Sequence, residues 1–209
     1  MTDFIGYLGL ALMLAGGPVQ AGLLLRASRH TLARWFVTSL LVLLIPWNGH
    51  SLIYYLRGVT GDLSVASLVI VVLVNCRTLG FPLAARSGFT WQAGLIPVVL
   101  LLPLYASTTG YLPFDLYAWG YEPQWFLLAL GALLLCAWRV HADLALAWLA
   151  GIAAFACGAC PSVNILDALF DPFMFAGSLA ILFRSACLAL ISRSSRSQQD
   201  VQTEMKKAA

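Results

Sequence analysis

Apolar runs follow one another from Phe4 to Ile191 with only short polar connections between them, and this succession decides what the chain can fold into. Hydrocarbon offers no water to hydrogen-bond peptide groups, so a run of roughly 20 apolar residues must satisfy them internally, as an α-helix. Composition agrees: 61% of the residues are hydrophobic and 10% are charged, where soluble domains carry about 25% charged residues. The expected fold is therefore all-α, a polytopic transmembrane helix bundle of about seven spans. Residues 1–192 make one transmembrane helical domain. Residues 193–209 make a polar cytoplasmic tail without apolar periodicity, expected to be disordered apart from a brief helix at most.

The expected spans are Phe4–Leu25, a second from Trp35, Leu63–Val74 extended towards Phe81, Phe89–Tyr105, Trp125–Val140, Leu144–Cys160 and Pro172–Ile191. No basic region precedes the first and no clear small-residue cleavage site marks it, so it is expected to stay as a span and not be removed as a signal peptide. Gly16-Gly17-Pro18 interrupts it, predicting a kink that packs against a close neighbour or lines a cavity. The clean apolar part of the second run ends at Trp47, too short to cross alone. Either the helix continues to Leu56 or the polar stretch after Ile45 dips back into the outer leaflet. Arg77, at the end of the third run, is expected to snorkel to the interface.

Basic residues orient the chain. With the N-terminus outside, every one of the 12 lysines and arginines except Arg57 and Arg184 falls on the inner side, as the positive-inside rule requires. The C-terminus is then cytoplasmic. Arginine far outnumbers lysine, which fits a GC-rich bacterial coding sequence, so the expected location is the bacterial inner (plasma) membrane, multi-pass. The net charge of +3 is too small and too dispersed for nucleic-acid binding. Asp62, Asp115, Asp167 and Asp171 fall outside, and the long connection from Ala106 to Gln124 is rich in tyrosine and tryptophan. The outer face is thus acidic and aromatic.

The first candidate site lies between Pro46 and Asp62, where Asn48, His50, Tyr54, Arg57 and Asp62 interrupt the apolar pattern. On a helix His50, Tyr54 and Arg57 share one face, and Asn48, Ser51 and Tyr55 another. An imidazole there is suited to proton transfer or ligand binding; the plainer role is to satisfy backbone groups freed by Pro46 and the glycines. The second candidate is Asn164, Asp167 and Asp171, spaced to share a face of a short interfacial helix, as a solvated surface, a weak cation site or a partner for Arg57. Cys157 and Cys160 form a Cys-x-x-Cys pair beside a proline, suited to dithiol redox chemistry or to close helix packing. Arg184 lies within the last run and either snorkels or pairs with Asn75, Gln20 or Asp143.

The chain lacks a phosphate-binding glycine loop, a Gly-x-Ser-x-Gly elbow, a His-Glu-x-x-His pair and a span lysine, so no cofactor or resident metal is expected. The function expected from these features is to bind, pass or present an envelope lipid or lipid-linked component, such as a lipid-linked sugar, through a polar pocket on the outer (periplasmic) side. The same features suit a membrane partner of a larger protein assembly. An enzyme reading, a membrane-embedded transferase or hydrolase on envelope lipids, takes His50 as base; a thiol redox reading takes Cys157 and Cys160. The partners expected are the lipid bilayer, such a lipid, and a protein in a membrane complex, with no nucleic acid.

Overall fold

The structure is a computed structural model that describes residues 2–81, 90–121, 123–160 and 162–208. Its long helices are α1 (Thr2–Leu24), α2 (Arg29–Leu44), then, after a short α3 (Leu52–Thr60), α4 (Val65–Leu79), α5 (Trp91–Thr108), α6 (Pro123–Val140) and α7 (Ala142–Ala156). A five-residue α8 (Ile165–Leu169) leads into α9 (Pro172–Ala208). The all-α expectation is borne out, and the long helices lie over the apolar runs. Among the described residues, Trp91–Thr108 and Pro172–Ser192 are long and apolar enough to cross a membrane, while Val65–Leu79, Leu128–Val140 and Ala142–Ala156 are shorter apolar helices.

Helix ends follow local chemistry. Ser28, Ser64, Thr90 and Asn164 each accept a hydrogen bond from a backbone N–H of the turn they precede, capping α2, α4, α5 and α8. Gly80 closes α4 in the left-handed conformation, φ 87°. The sixth run stops as a helix at Ala156, short of the predicted Cys160, where Gly158 adopts φ 67°. The largest boundary correction is at the C-terminus: α9 runs on as helix to Ala208 through the tail predicted to be disordered. That tail contains neither glycine nor proline and carries glutamine, arginine, lysine and alanine among its serines, so little in it breaks a helix once α9 has nucleated it.

Packing divides the interior into two apolar clusters. Leu10, Leu43 and Ile53 gather α1, α2 and α3; Leu101, Leu130, Trp148, Leu169 and Met174 gather α5 to α9 with α4. Helix α1 packs on both α2 and α4, and α4 packs in turn on α7, so α4 joins the two clusters. Gly16 allows this: a Cβ there would meet the side chain of Asn75, whose Nδ2 donates to the Leu12 carbonyl at 3.0 Å. Gly16, two residues before Pro18, thus serves close packing, the plainer of the two expected roles, while a Cβ at Gly17 would meet nothing within 4 Å.

The helix does not continue through the polar stretch after Ile45 to Leu56. Helix α2 ends at Leu44, and Pro46–Trp47 (β1) pairs antiparallel with His50–Ser51 (β2) as a minimal hairpin. Asn48 and Gly49 form its turn with φ 48° and 89°, the positive pair that an Asn-Gly turn supplies. His50 is therefore in a strand, not on the helix face shared with Tyr54 and Arg57. Helix α3 starts two residues later, so the imidazole still stacks on the Tyr54 ring at 4.1 Å.

At the far end of α4, Arg77 is held by an ion pair. Its guanidinium pairs with Asp143 at the start of α7, and Nδ1 of the buried His141 lies 3.5 Å from the same carboxylate. Arg184 is exposed on α9, and the partners considered for it are engaged elsewhere: Gln20 with Thr78, Asn75 with Leu12 and Asp143 with Arg77.

Candidate functional site

Polar connections collect at the hairpin end of the helices, where Asn164 orders them first. Its side chain, fully buried, accepts from Leu166 N–H at 2.9 Å and donates to the Tyr117 carbonyl at 3.0 Å. That bond draws the 3-10 turn Tyr117–Tyr121 onto α8. Gly120 makes the approach possible, because a Cβ there would overlap the Asn164 side chain. In consequence the Tyr117 hydroxyl reaches Asp167, 2.8 Å from each carboxylate oxygen, and Ser162 Oγ donates to the same group at 2.5 Å. Burial and the Asp167 carboxylate together push the Tyr117 phenol well above its usual value, so it remains a neutral donor.

Asp171 has a different role. It is 6% exposed and accepts Met174 N–H at the start of α9 and Ser64 N–H at the start of α4, both at 2.6 Å. One carboxylate therefore caps two helix N-termini, where backbone dipoles favour a negative charge. The expectation that Asn164, Asp167 and Asp171 share a solvated helix face needs correction. Only Asp167 lies in α8 and is exposed; the other two flank the helix and are buried.

Asp62 sits in the connection from α3 to α4 and accepts from Arg57 Nε at 2.5 Å and Nη2 at 2.8 Å. This bidentate pair engages Arg57, not Asp167 or Asp171. The guanidinium also lies 4.4 Å from the centre of the Tyr7 ring, a cation–π contact that brings α1 into the group. Gly6 leaves room for it: a Cβ there would overlap the Asp62 carboxylate and crowd Arg57 Nε. Helix propensity alone predicts that Gly6→Ala stabilises α1 by roughly 1 kcal/mol. We expect the opposite, a destabilisation of about 1–2 kcal/mol from overpacking, read as a lower midpoint of thermal unfolding in nanodiscs.

Two hollows flank this connection. One, of about 390 Å³, has Asp62, Asp167, Asp171 and Tyr117 among its polar walls and Leu101, Leu104 and Phe170 among its apolar ones. The other, of about 410 Å³, lies between α1 and α3 and is lined by Tyr7, Tyr54, Tyr55, Arg57 and Asp62. Asp62 belongs to both. The sequence candidates Asp62, Asp167 and Asp171 thus converge on one hollow, and Tyr54, Arg57 and Asp62 on its neighbour. His50 lines neither, and Asn48 belongs to the turn and to a shallow apolar hollow beside Trp47.

Cys157 is an exposed free thiol, whereas the free thiol of Cys160 faces the first hollow. Burial raises the Cys160 pKa, the opposite of what an attacking thiolate needs. Tyr7, Tyr117 and Ser162 were not singled out from the sequence. Tyr7 reaches the site from α1 and Tyr117 from the turn 50 residues before Asp167, and only the general richness of tyrosine signalled them; Ser162 stands five residues before Asp167 and carried no signal of its own. Among the described residues no three His, Cys, Asp or Glu side chains gather to hold a metal ion. No family model, curated protein or solved structure matches the chain, so its function is argued from the site itself.

Proposed function

We propose that this is a multi-pass protein of the bacterial inner membrane, N-terminus outside and C-terminus cytoplasmic, with about seven spans, which binds an envelope lipid or lipid-linked component at its outer side. The observation that carries the reading is the first hollow. Leucines of α5 make its apolar wall, and carboxylates from the α3–α4 connection, α8 and the entry to α9 stand together at the same place. Such a hollow suits an amphiphile whose apolar part lies against Leu101 and Leu104 and whose head donates hydrogen bonds. Carboxylates accept and do not donate, so hydroxyl or amine groups match them and a bare phosphate does not. Its volume falls in the range of about 300–1,000 Å³ usual for small-molecule sites. Presenting the bound component to a larger membrane assembly is consistent with a chain that is almost entirely helix.

Cys160 provides a native probe, with Cys157 as an internal control. In nanodiscs made with lipid extracted from the source membrane, alkylation of Cys160 by a maleimide is expected to be about tenfold slower than in phosphatidylcholine nanodiscs, as for a site exposed to ligand at about ten times its Kd. The rate at Cys157 should not change. Equal Cys160 rates in the two preparations would remove the support for a bound lipid.

A further inference from the structure

We infer that the hollow between α1 and α3 is a sugar subsite, so that the amphiphile proposed above, on which this inference rests, carries a neutral hydroxylated ring as its head. A pyranose presents an apolar C–H face and a rim of neighbouring hydroxyls. It is recognised where an aromatic ring stands beside fixed donors and acceptors, and this hollow provides both. Tyr54 and Tyr55 remain 44% and 39% exposed although they are held in place. The Tyr54 ring is stacked on His50 at 4.1 Å, and Tyr55 is perpendicular to it with its hydroxyl donating to the Trp47 carbonyl at 3.1 Å. Beside them the Arg57–Asp62 pair presents nitrogen donors and carboxylate acceptors side by side. The guanidinium is fixed in its plane by two bonds to Asp62 and by Tyr7, so little rotamer freedom is left to lose on binding.

Charge narrows the ligand further. Arg57 already lies over the face of Tyr7, which disfavours a second cation in an aromatic cage. Asp62 neutralises that arginine, and Asp167 and Asp171 stand in the adjoining hollow, which disfavours an anion. A neutral polyol meets neither penalty. The wall at Gly58 and Gly61 is open, with no heavy atom within 4 Å of where a Cβ would stand. Asp62 lines both hollows, so a head bound on the tyrosines and a chain bound on the leucines meet at this one carboxylate.

The test uses two probes with the same dodecyl chain, dodecyl maltoside and dodecyldimethylamine oxide. Each is added below its micellar concentration to the protein in phosphatidylcholine nanodiscs, and protection of Cys160 from maleimide is measured. Wild type should be protected by the maltoside at roughly tenfold lower concentration than by the amine oxide, as expected for one aromatic contact. Tyr54→Phe should keep that preference and Tyr54→Ala should abolish it. Gly58→Trp, which fills the open wall, should abolish it as well and serves if Tyr54→Ala fails to accumulate. Equal protection by both probes in wild type, or a preference that survives both Tyr54→Ala and Gly58→Trp, overturns the sugar subsite while leaving amphiphile binding intact. Protection by neither probe overturns the binding reading and the subsite with it.

Discussion

Replacing Asp171 by alanine is expected to lower the unfolding free energy by about 3 kcal/mol, a large share of the 5–15 kcal/mol that holds a domain folded. The residue is 6% exposed, and its two oxygens accept the N–H groups of Ser64 and Met174. Alanine removes two charge-assisted bonds at once and leaves both donors without an acceptor in a buried place. Each loss is worth roughly 1–2 kcal/mol by comparison with other helix caps. A negative charge between the N-termini of α4 and α9 is lost as well. An asparagine side chain would keep one acceptor but point its N–H₂ at the other donor, so Asp171→Asn should fall between wild type and Asp171→Ala. Denaturant unfolding in nanodiscs, with accumulation in the membrane, measures this order. An Asp171→Ala protein within about half a kcal/mol of wild type, the range of ordinary surface substitutions, would show that the double cap does not hold these helices.

That role could be read from the sequence, although the residue drew attention as a ligand. Asp171-Pro172 ahead of an apolar run is a helix-start signature, with the carboxylate as cap and proline in the first turn. Likewise Asn48-Gly49 marks a hairpin turn. What hid it was the length of the flanking strands: Pro46–Trp47 and His50–Ser51 are too short to show any alternation. Apolar periodicity and length, which act locally, gave the helices at nearly their observed positions. Charge counting grouped the polar connections at the ends of the bundle, and that grouping foresaw that Asp62, Asp167 and Asp171 share a level.

Contacts across long separations were not legible. Tyr117 and Asp167 are 50 residues apart and meet only because Asn164 pins the intervening turn to α8. Arg57 had several acids within reach on the charge map. The nearest in sequence, Asp62, won because Gly61, with φ 75°, turns the chain straight after α3 and Gly6 leaves space beside it. Helix ends inside polar tails were also poorly read, since the polar segment of α9 lacks the breaker that would have ended it.

Arg77→Ala is expected to destabilise the protein by about 3–5 kcal/mol, the range for removing one partner of a buried ion pair. Asp143, 4% exposed, would then keep its charge at the α4–α7 seam with the His141 imidazole at 3.5 Å and without the guanidinium that balances it. A charge left unbalanced in such a place is costly and weakens the packing of α7 on α4. The pair as a whole adds much less, because both ions had to be stripped of water to reach the seam. The double variant Arg77→Met, Asp143→Leu removes both charges and keeps apolar volume, and should recover to within about 1 kcal/mol of wild type. Unfolding of Arg77→Met, Asp143→Leu and the double variant forms a thermodynamic cycle, and the expected coupling is at least about 2 kcal/mol, at the upper end of what contacting residues show. A double variant no more stable than Arg77→Ala would mean that Arg77 holds the seam through its apolar stem, and that its charge on Asp143 contributes little.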